Sequence, residues 1–153
     1  KALGDSNDEV RALAANALGF SGDLRAAGPL MGKLSDPSPE VRRLAALSLG
    51  ILGPKSALVP LLRLLNDKDP DARSFAAVSL GFLGDEKAIP ALTELLFKGE
   101  ELQRKFAAES LGRLGAESAM DKLEVVARYD SAGRVRDAAS KAVEKIRSGS
   151  GLP

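Results

Sequence analysis

The chain of 153 residues is 44% hydrophobic and 28% charged, a balance typical of a folded domain and not of a disordered segment. The absence of Cys and His excludes disulfide frameworks, thiol chemistry, histidine-based catalysis and the usual zinc sites. Because 22 Lys and Arg residues are balanced by 21 Asp and Glu residues, the net charge of +1 predicts no nucleic acid partner. No apolar run approaches the ~20 residues that cross a bilayer, so no membrane partner is predicted.

The sequence repeats itself with a period of 31 residues. Glycine, arginine and leucine each recur at this interval. The recurring sets are Gly19, Gly50, Gly81 and Gly112; Gly22, Gly53, Gly84 and Gly115; Arg11, Arg42, Arg73 and Arg104, followed 32 residues later by Arg136; and Leu30, Leu61, Leu92 and Leu123. The agreement of four independent sets indicates a repeat protein.

Each repeat contains two helical patterns, and the one called here the first helix has the spacing of an amphipathic helix. Ser38-Pro39 predicts where such a helix begins, and a pair of glycines predicts its end, with the second glycine as a left-handed cap. The apolar stripes are Val10/Leu13/Ala14/Ala17/Leu18, Val41/Leu44/Ala45/Ser48/Leu49, Ala72/Phe75/Ala76/Ser79/Leu80, Gln103/Phe106/Ala107/Ser110/Leu111 and Val135/Ala138/Ala139/Ala142/Val143.

The other pattern, called here the second helix, predicts a helix of ~10–13 residues. Its stripes are Ala26/Ala27/Leu30/Leu34, Ala57/Leu58/Leu61/Leu64/Leu65, Ala88/Ile89/Leu92/Leu95/Leu96 and Ala119/Met120/Leu123/Val126/Ala127. Lys33 stands at a core-type position, where we expect its stem to cover apolar surface and its ammonium to reach water. Because neither helix buries its stripe alone, the repeats must stack.

Over roughly residues 3–147 the repeats resemble the HEAT-like repeats first recognised in phycobilin lyases. The segment that carries the resemblance is Asp36-Pro37-Ser38-Pro39-Glu40-Val41-Arg42-Arg43-Leu44-Ala45-Ala46-Leu47-Ser48-Leu49-Gly50-Ile51-Leu52-Gly53. It implies an all-α fold: a right-handed α-α superhelix of about five stacked helix pairs, with the second helices on the concave face. The predicted repeats are 1–22 (incomplete), 23–53, 54–84, 85–115 and 116–147, and a flexible or vector-derived tail follows at 148–153.

The two ends of the predicted stack differ. The incomplete first repeat has no polar cap, and we expect its stripe to pack forward onto the second repeat. We therefore expect either that the native chain continues before residue 1 or that the chain self-associates through this end. At the other end, the outer face of helix 134–147 is charged, as a terminal cap requires.

The resemblance also implies a ladder in which an Asp lies six residues before each repeated Arg. The pairs are Asp5/Arg11, Asp36/Arg42, Asp67/Arg73 and Asp130/Arg136. Lys98 replaces the Asp in the fourth repeat, so we expect the ladder to be interrupted at Arg104. An anion-binding strip is the alternative interpretation of the Arg column, but bonding between repeats suits a guanidinium fork better.

No catalytic constellation is recognisable, so no enzymatic activity and no cofactor are predicted. The paired carboxylates lie at helix starts or on polar faces, where the helix dipole accounts for them. The acidic run 66–71 lacks the glycine and the distal Glu of a calcium loop, so no metal site is predicted. Iron-dependent hydroxylases built from HEAT-like repeats bind metal through His-Glu pairs, which this chain cannot supply.

The predicted concave face carries apolar residues bordered by charges. In the second helices its expected partner-binding residues are Leu24, Arg25, Met31, Lys55, Val59, Leu62, Arg63, Glu86, Lys87, Glu94, Glu117 and Asp121. Contiguous exposed apolar residues on such a face are typical of an interaction site. The sequence therefore predicts a non-catalytic scaffold that binds a partner protein or peptide, and we expect it to be cytoplasmic. A phycobilin lyase-like chromophore carrier and a structural spacer within a larger protein are the alternatives.

Overall fold

The computed structural model describes residues 1–149, and within them it contains nine α-helices, five short 3-10 turns and no strand. The helices are α1 (Asp8–Phe20), α2 (Ala27–Lys33), α3 (Pro39–Leu52), α4 (Leu58–Leu64), α5 (Pro70–Leu83), α6 (Ile89–Lys98), α7 (Glu101–Arg113), α8 (Met120–Tyr129) and α9 (Gly133–Arg147). Residues 150–153 of the predicted tail lie outside the described part.

The helices form two compact units, residues 1–83 and residues from 84 onward. In the N-terminal unit, α3 packs between α1 and α5. Helix α2 packs on α3, and helix α4 packs on α5. In the C-terminal unit, α7 packs on α9. Helix α6 packs on α7, and helix α8 packs on α9. The all-α architecture of stacked helix pairs is therefore confirmed.

Fully buried leucines fill the space between the helices of each unit. Leu30, Leu49, Leu61 and Leu80 form the centre of the N-terminal unit. Leu92, Leu96, Leu111 and Leu123 do so in the C-terminal unit. Both sets belong to the stripes read from the sequence, so the periodicity correctly predicted the core.

Each second helix begins as a 3-10 turn. The α-helical parts of α2 and α4 are shorter than expected, whereas those of α6 and α8 fall within the expected range. The α-helical part of α2 and of α4 has 7 residues, and that of α6 and of α8 has 10. The preceding turns are Leu24–Ala26, Lys55–Ala57, Glu86–Ala88 and Glu117–Ala119. In α2, α4 and α6 a proline (Pro29, Pro60 or Pro90) follows within the first turn of the α-helix. Proline lacks the N–H that an earlier α-helical start would need, but α8 begins in the same way without a proline, so proline alone does not set this start.

The two glycines of each pair have different roles, which corrects the expectation that both end the helix. Gly22, Gly53, Gly84 and Gly115 have φ of 68°, 68°, 75° and 62°, the left-handed conformation expected of the second glycine. The first glycine lies inside the helix at a close contact. A Cβ on Gly19 would lie 2.7 Å from the Cα of Ser48, and one on Gly50 would lie 2.7 Å from the Cα of Ser79. These glycines therefore allow adjacent first helices to touch.

The predicted forward packing of the α1 stripe is wrong. Leu13 is 68% exposed and Val10 is 38% exposed, whereas Val41, which lies 31 residues after Val10, is fully buried. The α1 side chains buried in the N-terminal unit are instead Arg11, Ala12 and Ala15. On α3, the stripe residue Ser48 contacts Ala15 of α1, whereas Gly50, which lies outside the stripe, approaches Ser79 of α5. The stripe of α3 therefore faces the preceding first helix.

Candidate interaction surfaces

An arginine of one repeat binds the aspartate of the next repeat in the N-terminal unit. Arg11 donates from Nε and Nη2 to the two carboxylate oxygens of Asp36, at 3.0 and 2.9 Å. Its Nη1 donates to the carbonyl oxygens of Asp5 and Ser6 in its own loop. Arg42 repeats this arrangement with the Asp67 carboxylate and the carbonyls of Asp36 and Pro37. A bidentate, largely buried fork of this kind fixes the position of one loop against the next.

The six-residue spacing read from the sequence therefore has a different chemical meaning from the one expected. Arg42 bonds to the main-chain carbonyl of Asp36, six residues earlier, while its charge pairs with Asp67, 25 residues later. Arg73 bonds in the same way to the carbonyls of Asp67 and Lys68. Asp36 and Asp67 thus each bind two arginines, one through the main-chain carbonyl and one through the carboxylate.

The expected interruption at Arg104 does not occur. Arg104 donates to both carboxylate oxygens of Asp130, at 2.7 and 2.9 Å, and to the Gly99 carbonyl. The pairing runs forward along the chain, so the Asp that matters for Arg104 is the one 26 residues later. Lys98, which replaces a ladder Asp, instead bonds to Glu94 on the same helix.

These pairs depress the pKa of the aspartates. The guanidinium of Arg11, helped by the Ser38 N–H and Lys33, lowers the pKa of Asp36 to about 2. Burial alone would raise the pKa of Asp67, but the bonds from Arg42 and the Asp69 N–H outweigh burial and lower it. Arg104 lowers the pKa of Asp130. Lys33, expected to reach water, lies 3.4 Å from Asp36 and joins the ladder.

The predicted binding residues of the N-terminal unit form an accessible, partly apolar surface. Leu24 and Val59 are 60% and 53% exposed, and Met31 and Leu62 are half-buried. Arg25 is paired with Asp23 at 2.8 Å. Lys55 and Arg63 are exposed and form no ion pair with any residue in the range 1–149.

A groove of about 710 Å³ opens beside the Arg42–Asp67 pair. Met31 and Leu34 of one repeat and Pro60, Arg63 and Leu64 of the next line it. The loop residues Ser35, Asp36, Pro37, Asn66, Asp67 and Lys68 complete its wall. Two of the predicted binding residues, Met31 and Arg63, therefore lie in one concavity.

The predicted binding residues of the C-terminal unit are exposed and mostly acidic. Glu86, Lys87 and Glu117 lie in the 3-10 turns that precede α6 and α8, whereas Glu94 and Asp121 lie on those helices. The Glu94 carboxylate is 2.8 Å from Lys98, which lowers the pKa of Glu94. No apolar residue was predicted on this face.

The C-terminal unit contains an aromatic groove that was not predicted from the sequence. This groove of about 360 Å³ lies beside the Arg104–Asp130 pair and is lined by Phe97, Val125 and Tyr129. All three side chains are exposed, Tyr129 by 71%. The sequence does contain a feature that indicates this groove. The residue directly before the ladder aspartate is polar at Ser35 and Asn66, but it is an aromatic residue, Tyr129, before Asp130.

No group of three or more Asp and Glu residues within 1–149 is arranged to hold a metal ion. None of the helices described is both long enough and apolar enough to cross a membrane.

Known structures share this architecture. The complex of CpcE and CpcF of phycocyanin lyase from Nostoc sp. PCC7120 matches with a TM-score of 0.84 and 28% identity, over 96% of this chain and 63% of that chain. This chain thus spans less than two thirds of that lyase chain. No curated protein matches at a significant level.

Two more distant structures show the fold alone. An engineered protein matches with a TM-score of 0.67 and 24% identity, over 99% of this chain and 78% of that chain. Human deoxyhypusine hydroxylase matches with a TM-score of 0.55 and 17% identity, over 95% of this chain and 82% of that chain.

A family model supplies the classification. The model described as HEAT repeats matches three overlapping segments, residues 1–72, 28–101 and 59–144. Together they cover most of the chain and coincide with the helix pairs and the arginine ladder described above. The chain belongs to the family of HEAT repeat proteins.

Proposed function

We propose that the chain is a non-catalytic scaffold that binds a partner protein or peptide through its second-helix surfaces. The observation that carries this proposal is the exposure of Leu24 and Val59 in the N-terminal unit, at 60% and 53%. Large apolar side chains that stay exposed to water are candidate contacts for a partner protein.

The charges around these residues indicate the chemistry of the partner. Lys55 and Arg63 lie on the same second-helix surface as Val59 and have no acidic partner among residues 1–149. A segment with an apolar anchor and flanking carboxylates would therefore complement the N-terminal unit. The C-terminal unit offers the opposite charge, through Glu86, Glu94, Glu117 and Asp121, and would suit a basic segment.

The proposal is tested by selecting peptides from a random display library against the immobilised chain. The peptide that binds most tightly is then titrated against the parent chain and against the double variant Leu24→Ser/Val59→Ser. Both side chains are mostly in water, so their replacement leaves the core intact. We expect affinity to fall by more than about tenfold.

Ile51→Ser is the matched control, because Ile51 is an exposed apolar residue on the first helix α3. Its replacement is expected to leave the affinity unchanged. Equal affinities of the parent and the double variant would show that the second-helix surface of the N-terminal unit is not the binding site. A chain that selects no peptide at all would favour the role of a structural spacer.

A chromophore carrier is the second candidate, and the likeness to the phycocyanin lyase complex favours it. Because the chain has no Cys, it cannot hold a bilin through a thioether bond, so any carriage would be non-covalent. The acidic side chains of a bilin would require cations, and Lys55 and Arg63, which flank Val59 in sequence, form no ion pair with any residue in the range 1–149.

Absorption spectroscopy distinguishes the two candidates. If the chain is a carrier, addition of the parent chain to free phycocyanobilin changes the bilin absorption spectrum in a saturable way. The variant Lys55→Gln/Arg63→Gln then weakens that change. A spectrum unaffected by the parent chain contradicts the carrier role and leaves the scaffold role standing.

A further inference from the structure

Each unit has a groove at the same place in its repeats. The groove beside the Arg42–Asp67 pair, called here the cationic groove, and the aromatic groove both lie where two second helices end and the next loops begin. They share two buried aliphatic residues and one arginine–aspartate pair of the ladder. The equivalent residues, 62 or 63 positions apart, are Leu34 and Leu96, Leu64 and Val126, Arg42 and Arg104, and Asp67 and Asp130.

Three other positions of the lining differ in chemistry between the two grooves. The cationic groove has serine, arginine and lysine where the aromatic groove has phenylalanine, valine and serine. The equivalent pairs are Ser35 and Phe97, Arg63 and Val125, and Lys68 and Ser131. All six residues are exposed, so their replacement has little effect on the core. These positions therefore determine what each groove binds.

The cationic groove carries two positive charges without an ion-pair partner. Arg63 and Lys68 form no ion pair with any residue in the range 1–149, and Lys68 acts on the Asp67 carboxylate only through its longer-range charge. The two carboxylates in the lining, those of Asp36 and Asp67, each accept an arginine fork of the ladder. Because these acids are already neutralised, the groove favours an anionic ligand.

Apolar side chains lie beside these charges. Met31 and Pro60 are half-buried and line the groove together with the buried Leu34 and Leu64. The volume of about 710 Å³ falls within the range of sites that enclose a ligand. A ligand that joins a carboxylate to an apolar group would therefore use both parts of the lining.

We propose that the cationic groove binds an acidic side chain of a partner peptide, together with a large apolar residue next to it. Arg63 and Lys68 hold the carboxylate, and the apolar residue packs against Met31 and Pro60. The inference rests on the proposed function, because it names a site and a recognition chemistry for the same scaffold. Leu24 and Val59, which carry the proposed function, do not line this groove, so the two can be tested separately.

The test transfers residues of the aromatic groove into the cationic groove. Arg63→Val/Lys68→Ser removes both charges, and Ser35→Phe narrows the groove without changing its charge. A random displayed peptide library is selected in parallel against the parent chain and both variants. We expect the parent to enrich peptides in which Asp or Glu adjoins a large apolar residue, and we expect both variants to lose this enrichment.

A synthetic peptide of the enriched sequence then measures the contribution of the carboxylate. Replacing its acidic residue by the corresponding amide should weaken binding to the parent by more than about tenfold. The same replacement should change binding to Arg63→Val/Lys68→Ser by less than about threefold, because the cations that distinguish acid from amide are gone.

Lys122→Gln/Lys141→Gln is the matched control. It removes two exposed cations from α8 and α9, which do not line the cationic groove, and lowers the net charge by the same amount. We expect it to leave the affinity for the acidic peptide unchanged. A loss as large as that of Arg63→Val/Lys68→Ser would show an effect of net charge and contradict a site in the groove.

Two results would overturn this inference and leave the proposed function standing. One is a peptide that binds the parent and Arg63→Val/Lys68→Ser equally, although Leu24→Ser/Val59→Ser weakens it. The other is a selection that returns only peptides without acidic residues. A parent chain that selects no peptide contradicts both proposals. Far-ultraviolet circular dichroism checks that each variant folds, and Arg63→Gln/Lys68→Gln replaces the charge variant if it does not.

Discussion

Asp36 accepts two hydrogen bonds from the guanidinium of Arg11, a residue 25 positions earlier, while its own carbonyl accepts a bond from Arg42. One aspartate thereby connects two arginines from successive first helices. Because its carboxylate is buried, the connection depends on both partners being charged.

The arginine ladder is expected to contribute to stability. Arg42→Ala leaves the partly buried carboxylate of Asp67 and two carbonyls without their donor, and should lower the free energy of unfolding by about 1–3 kcal/mol. Arg104→Ala should have a comparable effect, because Arg104 also binds a carboxylate and a carbonyl. Urea denaturation measures both losses. Arg63→Ala, at an exposed and unpaired cation, is the control and should change stability by less than about 0.5 kcal/mol.

The depressed pKa of Asp36 predicts an acid-sensitive stability. A carboxyl group whose pKa is lower in the folded than in the unfolded chain stabilises the fold above its unfolded value, near 3.9. That contribution disappears as the pH falls towards the folded pKa of about 2. Melting temperatures of the parent and of Asp36→Asn should therefore differ most above pH ~4 and converge below it. A constant difference across this range would contradict the assignment.

The two kinds of helical glycine should respond oppositely to alanine. A Cβ on Gly50 would lie 2.7 Å from the Cα and 2.9 Å from the carbonyl oxygen of Ser79, so α5 would have to shift. We expect Gly50→Ala to destabilise the chain by about 1–3 kcal/mol. Gly32, in α2, has no atom within 4 Å of the equivalent Cβ, and Gly32→Ala should stabilise by up to about 1 kcal/mol. Thermal melts of the two variants check the difference in sign.

Native-state hydrogen exchange should distinguish α1 from α3. Helix α3 is packed against α1, α2 and α5, whereas the stripe of α1 is largely in water. The amides of α1 should therefore exchange through openings of lower free energy than those of α3. Equal protection in both helices would mean that the exposed face of α1 is covered in solution. The Leu13→Asp variant would then reveal whether a second copy covers it.

Much of the fold follows from the spacing of residues along the chain. The 31-residue period predicted the helix pairs. An apolar stripe at i, i+3 and i+4 forms one face of a helix, and that face is buried when the helix packs against a neighbour. The left-handed φ at Gly22 and Gly53 was also predictable, since few residues other than glycine adopt that conformation in a helix cap.

Only the tertiary structure decided which partner each repeated residue has. Arg42 is six residues from one Asp and 25 from another, and spacing alone favoured the nearer carboxylate, yet the fold gives Arg42 the carbonyl of Asp36 and the carboxylate of Asp67. For the same reason, Gly19 was predicted to mark the end of a helix, although it lies inside α1 and approaches Ser48. Local patterns determine helices because helical bonds connect neighbours in sequence, whereas partners across repeats depend on how the helices pack.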